Sequence, residues 1–221
     1  MINLKRFETF LQEQRYTSAS TSVSKTRPAK TVEQLYSSGF FKNAKTVLDF
    51  GAGNGRNANF LRSKGIRVYA YDKYNGKSVD GFEQVSNKLP TQEFDASFSA
   101  YVLNVVDVDT ERQIIKEVER LTTGKIAHVV LYEEIISWAY NALEQKPNAN
   151  SHIIDYFFGD DPHQELEDML WDKGLDNDEA AIEISKIGFE TGKDTFYRTV
   201  DLKKYGYRKV EISGEQHCWI K

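Results

Sequence analysis

Apolar and polar positions change period from block to block along the chain, and the periods predict the elements. Residues 1–16 place Leu4, Phe7, Phe10 and Leu11 at helical spacing, which predicts an amphipathic helix. Thr31 with Gln34 reads as a capping box for a helix with Val32, Leu35 and Tyr36 on its apolar side and a stop near Gly39. An apolar run at 46–50 predicts a buried strand. Gly51, Gly53 and Gly55 then turn the chain into a helix carrying Ala58, Phe60 and Leu61. A second short strand at 67–71 ends on Asp72. After a turn at Asn75-Gly76 come a weak strand at 82–85 and a stronger apolar run at 94–106, read as the third and the central fourth strands. Asp109 is placed to cap the next helix, whose apolar side is Ile114, Ile115, Val118 and Leu121. Residues 124–132 predict a fifth buried strand, with His128 packed inside it.

The closing segment reads as a short helix at 199–205 stopped by Gly206, then strands at 208–213 and 216–220 around Gly214. Residues 133–198 are too many for a connection, which usually takes about 2–6 residues. They predict an inserted helical cap. Asp161-Pro162 opens one helix, with Leu166, Met169, Leu170 and Trp171 as its apolar side and Gly174 as its stop, and a second runs over about 178–187. Three parts follow: N-terminal helices and a loop at 1–44, an α/β domain at 45–132 and 199–221, and the cap at 133–198.

Composition narrows the class without naming it. At 221 residues, 40% hydrophobic and 28% charged, the chain suits one α/β domain with an insertion. No apolar run approaches the roughly 20 residues of a membrane span, and MINLKRFETF carries charges where a signal peptide needs its apolar stretch, so a cytoplasmic location is expected. The single cysteine, Cys218, excludes an internal disulfide or a cysteine metal cluster. His128, His152, His163 and His217 show no paired spacing, so no metal is expected. The net charge of −4 hides a division: residues 1–90 hold 15 Lys/Arg against 7 Asp/Glu, and residues 151–190 hold 2 against 12. The basic part suits phosphates and the acidic part repels them or receives a cation; two solvated faces are the plainer reading.

The candidate chemistry lies around the first glycine turn. Glycines there admit positive φ and a close ligand approach, and the next helix offers unpaired N–H groups. Asp72, 21 positions after Gly51, is placed to accept hydrogen bonds from ribose hydroxyls. Gly53-x-Gly55-x-x-Ala58 also fits a dinucleotide fingerprint, but Asp49 at the strand tip suits a cationic ligand and opposes a pyrophosphate. An NAD-dependent oxidoreductase therefore fits less well.

With Asp49, the glycines and Asp72 assembled, the segment resembles the first two motifs of class I S-adenosylmethionine-dependent methyltransferases. The resemblance covers roughly 45–132 and 199–221. It implies a Rossmann-like α/β fold: a mostly parallel sheet with an antiparallel C-terminal strand, helices on both faces, and the cap inserted. It implies S-adenosyl-L-methionine as cofactor, beside Asp49, Gly51, Ala52, Gly53, Asn54, Gly55, Asp72, Lys73 and Ala100. Ser86 and Asn87 join them as residues just after the third strand, where the usual acidic residue is missing. Ala100 to Asn104 fall beside the transferable methyl, which makes Tyr101 and Asn104 the catalytic candidates; satisfying local backbone is the alternative for Asn104.

Acceptor-side candidates are Lys25 and Arg27, in a Ser/Thr-rich stretch at 17–30 that is a lid or an idle surface loop, and Tyr132, Glu133, Trp138 and Tyr156 of the cap. Glu134 and Phe157 lie beside them. The fourth strand lacks the Pro-Pro run of exocyclic-amine DNA methyltransferases and the Pro-Cys of cytosine C5 enzymes. Its Tyr-Val-Leu-Asn-Val-Val run is similar to small bacterial and phage methyltransferases found near DNA-modification genes. The expected activity is methyl transfer to a small-molecule or nucleotide-like acceptor. The alternatives are a nucleic-acid methyltransferase using the basic N-terminal region and a non-catalytic cofactor-binding or regulatory module. No membrane partner is expected, and the oligomeric state is open.

Overall fold

The buried apolar runs become strands and the amphipathic stretches cover them. In the computed structural model, which describes residues 26–144, 177–191, 195–211 and 216–221, eight strands follow in chain order. They are β1 (Thr46–Phe50), β2 (Arg67–Tyr71), β3 (Phe94–Ala100), β4 (Thr122–Leu131), β5 (Phe189–Thr191), β6 (Thr195–Tyr197), β7 (Arg208–Glu211) and β8 (Gln216–Ile220). The helices are α1 (Lys30–Ser37), α2 (Arg56–Ser63), α3 (Val108–Arg120), α4 (Glu133–Glu144) and α5 (Asn177–Ile187). Six strands form one sheet in the order β2-β1-β3-β4-β8-β7. The first four are parallel, while β8 runs antiparallel to both β4 and β7, as the closing hairpin pattern predicts. The helix expected over 1–16, the helix at Asp161-Pro162, Lys25 and Tyr156 lie outside the described residues.

One face of the sheet packs on α1 and α2 through Val32, Leu35, Val47, Ala58, Leu61, Val68 and Phe98. The other packs on α3 and the segment before β7 through Leu48, Ile115, Val118, Leu121, Ile126, Leu202 and Tyr207. Each fully buried aliphatic or aromatic side chain here contributes roughly 1.5–3 kcal/mol. A third cluster, Ile135, Ala139, Ala181 and Phe189, joins α4, α5 and β5 of the insertion.

Several boundaries differ from the sequence reading, each for a local reason. Helix α1 starts on Ala29 as N-cap, without a side-chain cap, and Thr31 is buried inside its first turn. The Ala29 N–H instead donates to Asn57 Oδ1 at 2.9 Å, which ties the start of α1 to α2. No strand forms at 82–85. The Arg62 guanidinium binds the carbonyls of Gly81 and Glu83, and the loop's main chain meets β2 at Gly81 and Ser86 on either side of 82–85. The run read as 94–106 is a strand only to Ala100, because Tyr101 adopts φ 65° and 103–105 turn into a 3-10 helix. Asp107, not Asp109, caps α3: its carboxylate accepts from the amides of Asp109 and Thr110 and from the Thr110 hydroxyl. The stretch read as a helix at 199–205 is helical only at Lys203–Tyr205. The β5–β6 pair lies in the stretch read as purely helical cap.

Candidate functional site

A cavity of about 740 Å³ opens at the carboxyl ends of β1, β2 and β3, the place where open α/β sheets bind ligands. Its first wall is the glycine turn. Gly51, Gly53 and Gly55 all have positive φ, and the amides of Gly51 and Ala52 both donate to the Tyr71 carbonyl at 2.8 Å. At Gly51 a Cβ would stand 2.3 Å from Val102 Cγ2, so no side chain fits between the turn and the β3–α3 connection.

Asp72 clips this turn to the loop after β2. Its Oδ2 accepts from the Gly53 N–H at 2.8 Å, while its Oδ1 accepts from the amides of Tyr74 and Asn75 and from Asn75 Nδ2. The carboxylate is 8% exposed and lines the cavity. The clip brings two loops, each following a parallel strand, onto one acidic side chain.

Asp49 lies behind the turn, not on the cavity wall. It is 1% exposed, and burial first, then the Asp72 charge, push its carboxyl up to about 7. The Ala58 amide, in the first turn of α2, and the Arg62 and Arg56 charges oppose that rise. A positive ligand above the turn would help ionise this carboxyl, whereas an anion would keep it protonated.

The structure brings Gly51, Ala52, Gly53, Asn54, Asp72, Lys73, Ala100, Tyr101 and Trp138 to the cavity wall. It does not bring Gly55, Ser86, Asn87, Asn104, Arg27, Tyr132 or Glu133 there. Ser86 is fully buried; its hydroxyl donates to the Val79 carbonyl and accepts from the Lys88 amide. Asn87 is exposed, and Leu89, two residues on, is the one that reaches the cavity. Arg27 is exposed, and its carbonyl accepts from Arg56.

Asn104 is fully buried with its amide on main chain. Its Nδ2 donates to the carbonyls of Leu131 and Arg198, and its Oδ1 accepts from the Leu131 N–H, at 2.8–2.9 Å. The polar side chain in the apolar run thus joins β4 to the end of the insertion. Tyr132 stacks on His217 with centroids 4.5 Å apart, and Glu133 Oε1 is 2.6 Å from His217 Nε2, so this pair anchors α4 to β8. His128 is packed as expected, with Nδ1 2.8 Å from Ser99 Oγ, and burial lowers its pKa to about 3.

Sequence reasoning missed much of the wall. Phe50 and Tyr71 end their strands beside the turn; Arg56 opens α2; Ile114 and Glu117 of α3 face in; Leu131 and Tyr197 close the insertion side. The strand-end residues were readable from register, since Phe50 pairs with Tyr71. The missed β5–β6 pair carries Tyr197. Tyr101 is on the wall with φ 65°, a conformation that costs a non-glycine residue about 1–3 kcal/mol.

Sheet order, glycine turn, acidic end of β2 and antiparallel closing strand together define a class I methyltransferase fold. Residues 18–132 match the family described as tellurite resistance protein TehB, and the chain belongs to that family. No curated protein sequence matches it. Among solved structures it is similar to the 1,6-didemethyltoxoflavin-N1-methyltransferase of Burkholderia thailandensis, with TM-score 0.48, 12% identity, and coverage of 86% of this chain and 75% of that one. TehB from Haemophilus influenzae aligns with TM-score 0.37 and 22% identity over 45% of this chain and 40% of that one. Human N-acetylserotonin methyltransferase aligns with TM-score 0.46 and 12% identity over 86% of this chain and 51% of that one. The chain therefore spans about half or less of the length of the last two. The similarity of the Tyr101–Val106 run to methyltransferases near DNA-modification genes is not supported by these matches. Among the described residues, no helix is long and apolar enough to cross a membrane.

Proposed function

We propose that the chain transfers a methyl group from S-adenosylmethionine to a small-molecule or nucleotide-like acceptor. The observation that carries this reading is the Asp72 clip: a cavity-lining carboxylate held by the Gly53 amide and the loop after β2, beside a turn no side chain can enter. The donor set fits the cofactor. Main chain at Gly51 to Asn54 and the Asp72 carboxylate would hold its ribose and amino-acid parts, and Ala100 and Tyr101 would lie beside its sulfur. Asp49 supports a cation over a pyrophosphate, because a ligand positive charge relieves a buried carboxyl raised to about 7.

When bound, the cofactor would supply an electrophilic sulfonium methyl group for an acceptor lone pair, with its thioether sulfur as the leaving atom. The residues of this chain act by position. The turn and Asp72 fix one reactant, and Tyr101, Leu131, Trp138 and Tyr197 shape the space for the other and exclude water. Such a step needs no nucleophile from the protein. Titration calorimetry with S-adenosylmethionine and S-adenosylhomocysteine tests the reading: micromolar binding is expected, and no binding by either at millimolar concentration overturns it.

A further inference from the structure

Two rings of the insertion meet at one end of the cavity. Trp138 on α4 and Tyr197 on β6 stand edge to face, with centroids 5.1 Å apart and planes at 72°, and both line the cavity with Leu131 and Tyr101. Helix α4 is seated by its neighbours Ile135 and Ala139, which are 0% and 1% exposed. With its packing face fixed there, the indole of Trp138 falls beside that face and stays 38% exposed. An edge-to-face pair uses one face of one ring, so the other faces are left uncovered by the pair itself.

A large open π surface inside a cleft favours a flat partner, since stacking adds to the apolar area removed from water. The phenol of Tyr197 stays neutral, because burial raises its pKa, so no phenolate charge opposes such a partner. Tyr101 also lines the cavity, with its backbone held at φ 65° against the cost of that conformation. The three residues come from three separate segments, 101, 138 and 197, and line one cavity.

We infer that the insertion side of the cavity binds a planar aromatic acceptor, recognised by stacking on the Trp138–Tyr197 pair. This rests on the methyl-transfer reading for its role, though ring recognition is measurable without it. The test uses the full chain and a matched pair of neutral probes, 2-naphthol and decahydro-2-naphthol, titrated by calorimetry with and without S-adenosylhomocysteine. Naphthol should bind at least about tenfold more tightly than its saturated counterpart. Trp138→Ala and Tyr197→Leu should each weaken naphthol about tenfold, and Trp138→Phe should restore most of the loss.

S-adenosylhomocysteine affinity in the same variants should stay within about twofold, which shows that the fold and the cofactor end are intact. Equal affinity for the two probes, no naphthol binding up to its solubility, or a Trp138→Ala protein that binds naphthol as the native chain does would overturn the inference. Loss of S-adenosylhomocysteine binding in the native chain strikes the cofactor reading instead. The naphthol comparison still decides ring recognition in that case.

Discussion

The glycine turn and the insertion junction are both polar and both buried, yet they are specified at different ranges. Around the turn, Asp72 reaches Gly53, Tyr74 and Asn75, all within 19 residues along the chain. At the junction, Arg198 Nη2 meets Glu111 Oε2 at 2.5 Å, its Nε donates to the Val106 carbonyl, and Asn104 binds the Arg198 carbonyl, over separations of 87–94 residues. The first arrangement is local turn chemistry. The second exists only once the sheet has brought 104–111 and 198 together, so it joins the insertion to the floor of the cavity. The difference teaches that the glycine-turn end of the cavity is held by loops that carry their own instructions, whereas the insertion end is held by contacts that only the assembled sheet brings together.

The largest effect should come from the junction. Burial alone would raise the Glu111 pKa, but the Arg198 charge and hydrogen bond reverse it and hold the carboxylate below its ordinary range. Arg198→Met should therefore cost about 3 kcal/mol or more in urea unfolding, because it removes the buried partner and leaves Glu111 with only the half-exposed Lys204 ammonium, at 3.0 Å, and the Tyr205 hydroxyl. Adding Glu111→Leu should recover most of that loss. A single-variant cost below about 1 kcal/mol would mean that the junction is not what seats the insertion.

Gly51→Val comes next. The branched side chain meets Val102 and sits at φ 74°, so a loss of roughly 2–4 kcal/mol is expected, together with loss of S-adenosylhomocysteine binding. Normal binding by that variant would show the turn to be structural only. Asp72→Ala should act on the ligand more than on the fold, weakening S-adenosylhomocysteine about tenfold or more, equivalent to about 1.5–3 kcal/mol. An unchanged dissociation constant would remove Asp72 from the site.

The mildest change at any one pH is a slope. Asp49 has its pKa raised in the folded state, from 3.8 to about 7, so the folded chain holds a proton the unfolded chain has lost between those values. Its contribution to stability is present at low pH and falls, by at most about 1.4 kcal/mol per pH unit, as pH rises through that window. Asp49→Asn should flatten this decline in unfolding measurements taken from pH 4 to pH 8. A native chain whose stability shows no such component would place Asp49 in a wetter or better paired setting.

The same contrast explains what could be read beforehand. Strands β1 and β2 were legible to the residue because each is a short apolar run bounded by Gly51 and Asp72. The end of β3 was not, since apolar character continues through Val102, Leu103, Val105 and Val106. What stops the strand is the positive φ of Tyr101, after which the Asn104 side chain takes the Leu131 amide and carbonyl. Ser86 and Asn87 were assigned to the cavity by counting from a third strand that Arg62 replaces with a loop. Tyr197 was legible in principle, because Phe-Glu-Thr and Thr-Phe-Tyr flank a Gly-containing run, a hairpin signal.

That loop has a consequence for how molecules of this protein meet one another. Ala70 donates to the Gly81 carbonyl and accepts from the Ser86 amide, and Asp72 donates to Ser86, so the outer rim of β2 is already occupied by the protein's own backbone. At the opposite rim, β7 presents the exposed cations Arg208 and Lys209. One border of the sheet is sealed and the other is charged, which denies a second sheet the open ladder on which edge-to-edge aggregation begins.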